Sequence, residues 1–155
     1  MADQADVDAV TRLLGRPPLA DFDVVVRAPD GSPVVIRNAP LLPEGTPMPT
    51  RYWLVGHDER VAVSRLESEG LVDVAEAEVD PQLLDACHQR AAAEREAALP
   101  PGWTGPRAAG GVGGTRVGVK CLHAHYANHL AGHDDPVGRW VVATLAQRAS
   151  AQAHQ

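Results

Sequence analysis

The sequence predicts an α+β fold, a small β-hairpin or sheet with about five helices and a helical C-terminal half, and three observations predict it. Two β-rich runs, Phe22 to Arg27 and Pro33 to Asn38, flank Pro29-Asp30-Gly31-Ser32, whose turn chemistry pairs them as a hairpin. Two Asp-Pro steps, Asp80-Pro81 and Asp135-Pro136, each place a capping carboxylate before a proline at the first helical position. The order helix, hairpin, strand, helix, strand, then three helices segregates the strands from the helices instead of alternating them.

Asp6 to Leu14 reads as a short helix, with Val7, Val10, Leu13 and Leu14 on one side and Gly15 as its stop. After the hairpin, Ala39 to Thr50 holds four prolines and reads as a loop. Arg51 to Val55 is a short apolar strand. Asp58 is a helix cap, with the helix reaching about Glu69 and Gly70 ending it. Leu71 to Ala77 reads as a further strand. The Asp80-Pro81 helix runs to about Leu99, where Pro100-Pro101 breaks it, and Gly102 to Thr115 is rich in Gly and Pro. A helix from about Lys120 to Ala131 follows, packed through Leu122, Tyr126 and Leu130 against the helix Pro81 to Leu99. The last helix ends near Arg148. The chain reads as one domain over residues 1–149 with a frayed tail over 150–155.

A chain of 155 residues with 45% hydrophobic residues is long enough for one real core, and aromatics at 4% leave its filling to Leu, Val and Ala. A formal net charge of −6 leaves no strongly basic surface for nucleic acid. No apolar run approaches the roughly 20 residues that span a bilayer, and no signal core follows the acidic N-terminus, so the expected location is the cytoplasm. Two cysteines, Cys87 and Cys121, make no disulfide framework.

The chemistry concentrates between Lys120 and His133, which hold one Cys and four His. On a helix Cys121, His125, His129 and His133 form a stripe that drifts about 40° per step, because each residue turns roughly 100°. His123 points elsewhere, unless the helix starts later and leaves Cys121 and His123 in the lead-in, where they converge. Thiolate and imidazole are ligands that Zn²⁺ prefers, and one helix face rarely supplies a full set. The remote candidate is His88, which shares a helix face with Arg95 at a spacing of seven. The expected metal ligands are therefore Cys121, His123, His125 and His88. No paired CxxC motif supports a zinc finger. A solvated His-rich face with Cys121 in the core fits the same residues.

Gly110-Gly-Val-Gly-Gly-Thr-Arg116 lies just before this stretch. Glycines let backbone N–H groups turn toward an anion, and the next helix N-terminus adds positive potential. Gly113, Gly114, Arg116, Lys120 and Arg95 are the anion-binding candidates, although the P-loop spacing is absent. A flexible linker is the competing reading. The same helix N-terminus should lower the pKa of Cys121.

The strings Gly110 to Thr115, Gly118-Val-Lys-Cys-Leu-His-Ala-His125, Leu130-Ala-Gly and Pro136-Val-Gly138 resemble the Domain of Unknown Function 501 family, found mainly in actinobacteria. Pro49-Thr-Arg-Tyr-Trp-Leu54, Ser64-Arg-Leu-Glu67 before Gly70, and the helix with His88 and Glu94-Arg95 resemble its other signatures in the same order. Cys121 and His123 match the family's Cys-Leu-His string, and His125 matches part of the family. Asn128 stands where many members are expected to have His, and His133 and Asp135 where Gly and Asn are usual. The resemblance supplies no function. It implies, through neighbouring genes for enolase, a septum-formation initiator and an exopolyphosphatase, a link to phosphate metabolism or cell division.

Two functions compete. One is a small zinc-dependent protein acting on a phosphorylated or other anionic small molecule. The other is a non-enzymatic regulatory or interaction module that meets a protein partner through the loop Ala39 to Thr50 and Tyr52-Trp53. Metal-free thiol chemistry at Cys121, with a His as base, is a third reading. Serine hydrolase chemistry has no GxSxG-like elbow to support it.

Overall fold

The computed structural model describes residues 1–154. Helix α1 (Gln4–Leu14) starts where the Asp3 carboxylate accepts the Asp6 N–H at 2.8 Å, and ends at Gly15 in the left-handed region. Strands β1 (Phe22–Arg27) and β2 (Pro33–Asn38) form the expected antiparallel hairpin, with Phe22 opposite Asn38 and Val24 opposite Ile36. Its turn is locked by Asp30, which accepts from the Ser32 N–H and hydroxyl. Strand β3 (Tyr52–Leu54) adds antiparallel to β2, giving the order β1-β2-β3.

The helices follow as α2 (His57–Ser68), α3 (Leu71–Glu78), α4 (Pro81–Ala97), α5 (Leu122–Leu130) and α6 (Pro136–Ala153), and the fold is α+β with a helical C-terminal half. Helix α2 starts at His57 after Gly56, so Asp58 lies in its first turn and does not cap it. Asp80 and Asp135 do cap α4 and α6. Helix α6 continues past Arg148 to Ala153. Among the described residues no helix is long and apolar enough to cross a membrane.

Two further expectations need correction. Leu71 to Ala77 is helix α3, not a strand. Val72 and Val74 sit two apart as in a strand, but Leu71, Val72, Ala75 and Val79 recur at helical spacing and turn to the core, while Val74 stays exposed. Helix α5 does not lie on α4 through Leu122, Tyr126 and Leu130. It packs on β3 and α6, with Leu122 and Ala127 in the main core beside Leu54, Leu66, Val137 and Val141. Helix α4 meets α5 through a small satellite core of Cys87, Val112 and Ala124, while its Leu84 joins the main core. Gly138 sets the α5–α6 distance: a Cβ there would stand 2.3 Å from His129 Cβ and 2.7 Å from the His125 carbonyl. That close crossing puts the start of α6, and Asp135 with it, against the middle of α5.

Candidate functional site

Asp135 is fully buried and holds four groups together. Its Oδ1 accepts the Val137 and Gly138 N–H groups at 3.0 Å, capping α6. Its Oδ2 accepts from Asn128 Nδ2 at 3.0 Å, and both oxygens lie 2.9–3.0 Å from His125 Nδ1. Burial alone would raise the Asp135 carboxyl, but His125, Asn128 and the Gly138 N–H outweigh it and leave it below its ordinary value. Asp135 is thus a carboxylate, and Nδ1 of His125 carries the proton it accepts. His125 is 1% exposed, and its other nitrogen, Nε2, has no hydrogen-bond partner.

Cys87 of α4 completes this cluster. Its Sγ lies 3.8 Å from Asn128 Nδ2, and one ligand atom each from Cys87, His125 and Asp135 lie within 4.8 Å of one another. These three buried residues form a group that could hold a metal ion. Thiol, imidazole and carboxylate are all zinc ligands. Burial, reinforced by the Asp135 charge, pushes the Cys87 thiol up to about 12. Without a cation it therefore stays protonated.

A second group lies at the start of α5. Cys121 is the extended residue just before the helix, but His123 already sits in its first turn, so only Cys121 lies in the lead-in. Glu67 of α2 accepts the Leu122 N–H at 3.0 Å, and His123 Nδ1 lies 3.0 Å from both its oxygens. His123 Nε2 lies 3.1 Å from the Ser64 hydroxyl. Cys121 and His123 share a cleft of about 120 Å³ with Thr50, Trp53, Thr115 and Lys120. The helix N-terminus does not lower the Cys121 thiol on balance. Burial is the largest influence and raises it, against the His123 and Ala124 N–H groups.

The remaining candidates separate from these groups. His88 is buried, with Nδ1 accepting the Val112 N–H at 3.1 Å and Nε2 donating to the Gly118 carbonyl at 2.8 Å. Both nitrogens are engaged, so His88 braces the glycine loop instead of facing Cys121, although its ring stands 5.5 Å from that of His125. Arg95 donates to the carbonyls of Pro49, Ala108, Gly110 and Gly111 and fastens the same loop to α4. Gly113 and Gly114 form a single 3₁₀ turn at positive φ, and the Gly114 and Thr115 N–H groups close it onto Gly111 and Val112. Lys120 and Gly113 reach the cleft, whereas Arg116 is exposed and outside its lining.

The structure thus divides the expected ligand set. Cys121 and His123 share the cleft, and His125 joins Cys87 and Asp135. Sequence reasoning missed Asp135 and Cys87 as His125's partners, and Ser64 and Glu67 as those of His123. Signals existed: Asp135 was legible as a cap, and Ser64 to Glu67 as a family string.

The fold and these clusters define a small α+β protein with two Cys/His groups, one buried and one in a cleft. Residues 24–143 match the family described as protein of unknown function (DUF501), and the chain belongs to that family. No curated protein and no solved structure matches it.

Proposed function

We propose that the protein binds Zn²⁺ between Cys87, His125 and Asp135 and acts on a small anionic molecule in the adjoining cleft. One observation carries the metal reading: ligand atoms of three buried groups, Cys87, His125 and Asp135, converge within 4.8 Å of one another. A cation there would take the place of the proton between His125 Nδ1 and Asp135 and of the Cys87 thiol proton. Asn128 and the α6 N–H groups hold Asp135 in place. Zinc would supply positive charge and keep the Cys87 thiol ionised. The anionic-ligand reading draws on Lys120 and the two threonines beside Cys121.

The test is thermal unfolding with and without Zn²⁺. A ligand at 100 times its Kd stabilises a folded chain by about 2.7 kcal/mol. Zinc should raise the Tm of the wild type and leave that of Cys87→Ser unchanged. Equal shifts in both proteins would place zinc elsewhere.

A further inference from the structure

The hydrogen bonds around His123 run in one line from a hydroxyl to a carboxylate, and none of these groups belongs to the buried cluster. We propose that Ser64, His123 and Glu67 form a hydrolytic triad with Ser64 as nucleophile, acting on small carboxylic esters that carry negative charge. Ser64 Oγ lies 3.1 Å from His123 Nε2, and His123 Nδ1 lies 3.0 Å from both Glu67 oxygens. A nucleophile thus stands within reach of a base whose other nitrogen is oriented by a third group. Ser64 and Glu67 are three residues apart and share one face of α2, while His123 comes from the first turn of α5. Glu67 Oε2 also accepts the Leu122 N–H at 3.0 Å, which holds the carboxylate independently of the ring. The chain has no GxSxG elbow, and its serine is presented by a helix instead. Ser64 lines an open groove of about 600 Å³ with His57, Arg60, Arg65 and Ser68, whereas His123 lines the neighbouring cleft, so their bond stands where the two meet. The backbone N–H groups beside Ser64 bond within α2 and cannot receive an oxyanion. That charge, and a negative substituent on the ester, fall to the guanidinium groups of Arg60 and Arg65. Arg60 is anchored through Nη1 to the Leu13 carbonyl at 2.8 Å.

The step is acyl transfer to Ser64 and then to water. Ser64 Oγ bonds to the carbonyl carbon while its proton passes to His123 Nε2. The bond from that carbon to the ester oxygen breaks, and the leaving oxygen takes the proton from Nε2. Water then attacks the acyl-serine and gives a proton to Nε2. The bond to Oγ breaks, Oγ takes that proton back, and the acid leaves.

The experiment gives the whole protein two acetyl esters, phenyl acetate and the anionic 4-acetoxybenzoate. It follows release of the phenol and places the acetyl group by mass spectrometry of acid-quenched samples. Acetyl should appear on Ser64, and Ser64→Ala, at an exposed position on α2, should lose both adduct and turnover. His123→Gln keeps an amide for Glu67 and Ser64 but takes no proton, and should slow acylation by about 100-fold. In His123→Ala, added imidazole should restore much of the rate. Glu67 is a positioning residue, so Glu67→Gln should lower kcat and leave KM for 4-acetoxybenzoate unchanged. Arg65→Gln should reduce the preference for 4-acetoxybenzoate over phenyl acetate. Neither adduct nor turnover in the wild type, a wild-type rate in Ser64→Ala or His123→Gln, or no imidazole rescue in folded His123→Ala would each overturn the triad. A change confined to KM in Glu67→Gln would overturn the role of Glu67, and equal rates on the two esters in the wild type would overturn the choice of substrate. None of these readouts is zinc content or a zinc-dependent Tm, so this site and the metal reading can fail separately.

Discussion

Asp135→Ala should be among the most destabilising single substitutions in this chain. The carboxylate caps α6 through two N–H groups and pairs with His125 and Asn128 where no water reaches. Loss of a capping side chain costs about 0.5–2 kcal/mol. His125 Nδ1 and Asn128 Nδ2 would also lose their acceptor while staying buried, at about 1–3 kcal/mol each. Together the loss is about 2.5–8 kcal/mol, a large part of the roughly 5–15 kcal/mol that holds a domain folded. Urea unfolding measures it: the midpoint should fall while the slope stays constant. Asp135→Asn keeps one acceptor oxygen and should fall between wild type and Asp135→Ala. A loss below about 1 kcal/mol for Asp135→Ala would refute the reasoning, because the cluster would then have water or other partners.

Gly138→Ala should cost about 1–3 kcal/mol by overpacking, since its Cβ would meet His129 Cβ and the His125 carbonyl, and urea unfolding reads that loss. Arg95→Met should free the loop 108–115 from α4 and raise its cleavage by a protease under native conditions, with cuts mapped between Ala108 and Thr115. Tyr52 donates to Glu94, and its phenol is pushed up to about 12, mainly by burial and then by that bond. The unfolded phenol ionises near 10.0, so between these values the unfolded state holds fewer protons and stability falls as pH rises. Tyr52→Phe should flatten that alkaline fall in unfolding experiments between pH 10 and 12.

The fold was largely legible where local chemistry decides it. The hairpin follows from two β-rich runs around Pro29 to Ser32, and α4 and α6 follow from their Asp-Pro starts. Leu71 to Glu78 was not legible as a helix, because eight residues with apolar positions at 71, 72, 74 and 75 suit either period. Tertiary contact chose the helix by burying Ala75 and Val79. The packing of α5 was hidden for a similar reason. Leu122, Tyr126 and Leu130 define a stripe but do not say which surface it meets.

The site was legible as a set of residue types and not as an arrangement. Cys121 and His123 were found because they lie two residues apart. His125 was found as a His, but its partners come from Cys87 on another helix and from a carboxylate whose capping role masked its second use. His88 carries the residue type of a ligand, yet the Val112 N–H and the Gly118 carbonyl occupy both its nitrogens. Ser64 and Glu67 lie more than fifty residues before His123, and nothing local in the sequence joins them to it.

The most direct test of the metal reading is elemental analysis of the native protein, purified without chelator, alongside Cys87→Ser and His125→Ala. The account predicts zinc near one ion per chain in the wild type and in Cys121→Ser, with loss from Cys87→Ser and His125→Ala. Wild-type protein without metal, or zinc lost from Cys121→Ser and kept in Cys87→Ser, would contradict it.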